Sequence, residues 1–124
     1  MERVRKKSKR PEDAIQRAVF QHLKLRRAPN AFAFHVPNGG KRPIIEASIM
    51  KSLGVTAGVP DLIAIRDGQT YGLELKADGG RVGPKQNEVL AAMERAGCIT
   101  GITFGLDAAL KWLEQNGILK GRSA

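Results

Sequence analysis

At 124 residues the chain has room for one hydrophobic core of ordinary size, which excludes two full domains and directs attention to a single site. Its formal charge of +9 and pI near 10.2 point to an acidic partner, because Lys and Arg gain free energy by releasing counterions from a phosphate backbone. A single cysteine, Cys98, excludes an intramolecular disulfide and a cysteine-rich zinc site. No apolar run approaches the roughly twenty residues of a membrane span, and the N-terminus lacks the apolar stretch of a signal peptide, so a cytoplasmic protein with no membrane partner is expected.

The excess charge is concentrated early: residues 1–27 carry a net +7 and residues 1–10, MERVRKKSKR, a net +5. Residues 1–10 read as a flexible basic tail, either a nucleic-acid-binding arm or a solvated extension, ahead of one domain over 11–120. A helix is predicted over 11–28, with Pro11 at its start, Glu12 and Asp13 in the first turn and basic residues in the last, as the helix dipole favours. Ile15, Ala18, Val19 and Leu23 recur along it at helical spacing, and Glu12 and Gln16 stack one turn apart on a shared edge.

Phe32, Phe34 and Val36 alternate at period two, predicting a strand over 31–36. PNGGKRP is a loop, and 44–53 a short helix ended by Gly54. After the loop GVTAGVP, residues 61–66 and 69–76 form two strands joined at Asp67-Gly68, a hairpin signal. A flexible ADGGRVG loop leads to a helix over 84–97, a strand over 98–104 and a last helix over 106–117. Trp112, Leu110 and Leu113 there are most simply core. Leaving out the small second helix, the order α-β-β-β-α-β-α predicts an α/β fold with a mixed sheet flanked by helices.

If Asp67-Gly68 makes a two-residue type I′ turn, Arg66 pairs with Gln69 and Asp61 falls opposite Glu74, unless a bulge shifts the register. Lys76 projects to the same face, because side chains alternate along a strand. Two carboxylates in an otherwise apolar hairpin are costly unless a hard divalent cation binds them through oxygen, and Mg²⁺ fits best. Lys76 can position or activate a water and offset charge on a phosphate. A plain salt bridge from Lys76 to Asp61 or Glu74 is the competing reading. GGRVGPK has the glycines of a phosphate-binding loop but lacks the adjacent Gly-Lys-Ser/Thr, and Pro84 removes an amide donor, so no nucleotide cofactor is expected. His22 and His35 are isolated and read as packed or exposed.

The run GVPDLIAI followed by YGLELKADGGRVGPKQNEVLAAMERAG resembles the VRR-NUC branch of the PD-(D/E)XK, restriction-endonuclease-like nucleases. The pattern is Gly58, Pro60 and Asp61, then Glu74 and Lys76 on the next strand, then Gln86 early in the following helix. FHVPNGGKR is similar to the single-domain phage and bacterial members, so the likeness covers roughly residues 11–105. It implies an α-β-β-β-α-β core in which Asp61 and Glu74 bind Mg²⁺ or Mn²⁺. The backbone carbonyl of Leu75 completes the site, and Lys76 serves the nucleophilic water. It also implies an acidic ligand from the first helix, for which Glu12 is the match with Gln16 beside it. Glu12 serving only the helix dipole is the alternative. Gln86 is placed to hold a water or phosphate oxygen, against an ordinary role in a first helical turn.

Lys41, Arg42, Arg81 and Lys85 lie in or beside glycine-rich loops and are candidate DNA-backbone contacts. Asn38, between Pro37 and Gly39, reads as a turn residue or, on the resemblance, a site-facing amide. The function expected is a structure-selective DNA endonuclease acting on Holliday-junction or other branched DNA, because no segment remains for an elaborate base-reading domain. A non-catalytic nucleic-acid-binding module and a sequence-specific restriction-type nuclease are the alternatives. A homodimer is expected from the two-fold symmetry of duplex DNA and from the resemblance, with the 44–53 helix or the last helix as candidate surfaces.

Overall fold

In the computed structural model, which describes residues 10–37 and 43–121, the fold is organised around the hairpin. Asp67 and Gly68 take φ of 50° and 80°, the left-handed pair that a type I′ turn requires, and Arg66 pairs with Gln69 as expected. The turn joins β2 (Leu62–Arg66) to β3 (Gln69–Lys76). β1 (Ala31–His35) adds antiparallel to β2. β4 (Ile99–Phe104) adds parallel to β3, after a crossover through α3 (Pro84–Arg95), since parallel neighbours cannot be joined by a tight turn. The sheet order is therefore β1-β2-β3-β4.

One face of this sheet carries the core. Val19 and Leu23 of α1 (Arg10–Arg26) and Ala109, Leu110 and Leu113 of α4 (Leu106–Gln115) pack with Leu62, Ala64, Tyr71, Leu73 and Leu75. Each fully buried leucine contributes about 1.5–3 kcal/mol relative to exposure. Trp112 sits edge-on to Tyr71 and lies directly over Gly101, where a Cβ would collide with the indole nitrogen. The opposite face is covered over β3 by α3 and the chain before β2: a Cβ on Gly72 would meet Met93 Cε and Pro60 Cγ, each at 2.9 Å. Every residue of β3 from Tyr71 to Lys76 is consequently buried, which takes Glu74 and Lys76 out of solvent.

The structure corrects or adds to the sequence reading in several places, and at the site β2 starts at Leu62, leaving Asp61 just before the strand where the sequence reading had placed it inside. α1 starts at Arg10 and stops at Arg26. There the chain turns to pair with the segment after α4, through the Arg27–Leu119 bridge, Ala28 N–H donating to Ile118 O and Lys120 N–H donating to Arg26 O. That segment brings Ile118 and Leu119 into the core, a closure the sequence did not announce. In β1 the period of two is present, but Ala31 and Ala33 take the helix-packed face, while Phe32, 61% exposed, and Phe34 look away from it. α2 (Ile44–Ser52) buries no residue. No helix among the described residues is long and apolar enough to cross a membrane.

Candidate active site

The site forms where β2 gives up its pairing with β3. The ladder runs from Arg66 opposite Gln69 to Leu62 opposite Leu73, and the chain bends at Asp61. Asp61 Oδ2 accepts a hydrogen bond from Leu75 N–H at 2.9 Å, so a side chain takes the place of the main-chain partner that a continuing strand would supply. The Leu75 carbonyl lies on the same edge of β3 as that amide. Gly58 lets the preceding loop approach: its φ is +89°, and a Cβ there would stand 2.8 Å from the Lys85 carbonyl. Pro60 is thereby seated against Gly72 of β3, and Asp61 against Leu75.

Glu74 enters from the middle of β3 and is 3% exposed. Its Oε2 accepts from Gln86 Nε2 at 2.7 Å and lies 3.7 Å from Lys76 Nζ. The Gln86 amide is oriented by Gly83, whose N–H donates to Oε1 at 2.9 Å, the half of a capping box that a glycine can make. Glu74 Oε1, by contrast, is buried with no donor group beside it, and the Asp61 carboxylate is the remaining hydrogen-bonding neighbour of this carboxyl. A buried oxygen without a donor is exceptional in a folded protein and calls for a partner of another kind.

Electrostatics point the same way. The Glu74 carboxyl is raised from its ordinary 4.5 to about 7, first by burial and then by the negative charge of Asp61; Lys76 opposes this, while Glu12 and a hydrogen bond shared with Asp61 add to it. Two carboxylates facing one another in a dry site repel unless a proton or a cation lies between them. Glu12, at the start of α1, reaches the glycine loop after β3, where its Oε2 is 3.5 Å from the position of a Cβ on Gly80. Among the described residues no group of three or more His, Cys, Asp or Glu side chains is gathered as a ready ligand cluster. Asp61 and Glu74 are thus the acidic pair, with Glu12 at their rim.

Asp61, Glu74, Leu75, Lys76 and Gln86 are brought together as the sequence suggested, and the Lys76 salt bridge is present beside them. Gln16, one turn after Glu12, is half-buried. Arg81 and Lys85 are exposed on the loop and first turn leading from the site, and Lys85 pairs with Glu88 at 3.5 Å. Asn38, Lys41 and Arg42 lie outside the described residues, as do positions 1–9 of the basic tail. One neighbour was missed: His35, whose Nδ1 is 2.8 Å from the Asp61 carbonyl oxygen. No local signal in the sequence marks it, since its place beside Asp61 follows only from the pairing of β1 with β2.

No protein-family model matches the chain, and no curated protein does. Among solved structures, a VRR_NUC domain protein is similar, with 26% identity and a TM-score of 0.70 over 85% of this chain and 86% of that one. The four-stranded mixed sheet flanked by helices is a restriction-endonuclease-like arrangement.

Proposed function

We propose that the protein is a metal-dependent endonuclease that hydrolyses phosphodiester bonds in DNA, acting on branched substrates such as four-way junctions. The observation that carries this is Glu74, a buried carboxyl raised to about 7 whose Oε1 has no donor, beside a second carboxylate, Asp61, and the Lys76 ammonium. Two carboxylates close together in a protected site, one with an oxygen that no donor satisfies, suit Mg²⁺ or Mn²⁺. Asp61, Glu74 and the Leu75 carbonyl are the groups that would hold it, with Glu12 close by. The likeness to a VRR_NUC domain protein supports a nuclease-type reading.

The ion, when bound, supplies Lewis acidity at the phosphate and a water of lowered pKa. The chain's own residues do the rest. Leu75 N–H holds Asp61 Oδ2 so that the carboxylate cannot rotate away from its partner. Gln86, fixed by Gly83, holds Glu74 Oε2 and leaves Oε1 without a hydrogen-bond donor. Lys76, on the same face of β3, keeps its ammonium next to the carboxylates, where it orients the attacking water and offsets charge gathering on the phosphate. Arg81 and Lys85 approach the DNA backbone and position it without reading sequence, aided by the +9 net charge.

Incubation with Mg²⁺ or Mn²⁺ and a panel of duplex, nicked, flap and four-way-junction DNAs, with RNA counterparts, tests the proposal. Metal-dependent cleavage, lowered at least about a thousandfold in Glu74→Gln, is the expected result. A purified chain that cuts none of them, or that cuts equally well as Glu74→Gln, would overturn it.

A further inference from the structure

We infer that His35 is a positioning residue that sets the acidic pair through the main chain of Asp61. The Asp61 carbonyl oxygen is the meeting point of two donors, Val36 N–H at 2.9 Å and His35 Nδ1 at 2.8 Å. A carbonyl can only accept, so the ring proton must sit on Nδ1. The first of these bonds continues the β1–β2 ladder, in which His35 faces Leu62, and strand pairing alone would provide it. The second is extra, and it falls on the residue where β2 departs from β3 and the backbone would otherwise be least constrained. Asp61 is thus held at both ends: its carbonyl by β1, and its carboxylate by Leu75 N–H of β3.

That arrangement links two strands through one residue. β1 is an edge strand, and without the ring bond its hold on Asp61 is one terminal ladder bond, the kind that frays first. With the ring bond, a shift of Asp61 away from Glu74 requires breaking two bonds to its carbonyl as well as the one to its carboxylate. Groups that orient a ligating carboxylate from behind have large effects on the ligand's performance while touching neither metal nor substrate. The metal part of this inference rests on the function proposed above; the hold on Asp61 does not.

The Leu75 amide, which donates to Asp61 Oδ2, reports the carboxylate's position with no metal needed. In the ¹⁵N-labelled, metal-free full chain at pH 8, the His35 ring should carry its proton on Nδ1. His35→Phe, which keeps a ring but removes the donor, should speed Leu75 amide exchange about five- to tenfold, leaving Tyr71 and Leu73 unchanged. It should also weaken Mn²⁺ binding, measured by calorimetry, by about tenfold or more. His35→Asn, whose side-chain N–H can take the place of Nδ1–H, should recover both to within about threefold of wild type. A ring proton on Nε2 in the wild type, an unchanged Leu75 exchange rate in His35→Phe, or equal losses in both variants would overturn the inference. A wild-type chain that binds no Mn²⁺ would instead remove the metal reading, while the ring tautomer and Leu75 exchange still decide the role of His35.

Discussion

A carboxyl group held near pKa 7 inside a fold is about half ionised at neutral pH, and this ties the stability of the chain to the state of its site. For Glu74 the folded value lies above the ordinary 4.5, so the folded state binds the proton more tightly than the unfolded one. Its contribution is fully present below about pH 4.5 and is lost as pH rises towards 7. Glu74→Gln, a neutral isostere, lacks that dependence. The urea-unfolding free energy of metal-free wild type minus that of Glu74→Gln should therefore fall between pH 4.5 and 7, by up to about 1.4 kcal/mol per pH unit; a flat difference would contradict the raised value. Because a cation needs the ionised form, Mn²⁺ affinity should climb over the same interval. Asp61, Glu74 and Lys76 were legible in the sequence because hairpin register and strand alternation are local rules, and Leu73, Leu75 and Tyr71 mark the opposite face. His35 was not, since its relation to Asp61 depends on β1 finding β2 across twenty-five intervening residues, which no local period encodes.

Among the elements, the loop between α2 and β2 governs how firmly the site is assembled. Gly54 and Gly58 both take positive φ, +100° and +89°, but a Cβ would meet nothing within 4 Å at Gly54 and would strike the Lys85 carbonyl at 2.8 Å at Gly58. Gly54→Ala should cost only the backbone strain, about 1–2 kcal/mol, whereas Gly58→Ala should add a steric cost of about 1–3 kcal/mol and loosen α3, with Gln86, from Glu74. Urea unfolding and Mn²⁺ titration of the pair would check this, and equal losses in the two variants would argue against the close approach. Element types and order were readable from periodicity, Pro and Gly. Faces were less so: Phe32 and Phe34 signalled a strand correctly, yet the small side chains of Ala31 and Ala33 occupy the face beneath the helices. The pairing of residues 27–28 with 118–119 was hidden because a single bridge between distant ends leaves no pattern.

For the molecule as a whole, a two-stranded substrate, as proposed above, would ask one site per chain to cut two strands. α4 was a candidate contact surface, but Leu110 and Leu113 are buried and Trp112 packs over Gly101, so its apolar face is used within the domain. α2 is the reverse case. Ile44, Ile45 and Ile49 are 84%, 75% and 54% exposed, more apolar surface than a solvated helix carries without loss. A second copy related by a two-fold axis would cover α2 with α2, double the basic surface offered to DNA and present two sites to two strands. On this reading, light scattering at micromolar concentration should give twice the 13.5 kDa chain mass, and the double variant I45E/I49E should give the single mass with its fold intact. The same variant should nick one strand of a four-way junction per binding event, where the wild type is expected to cut two. A wild-type chain that scatters as a monomer with and without junction DNA, and cuts one strand at a time, would mean that each site works alone and that α2 is not a dimer surface.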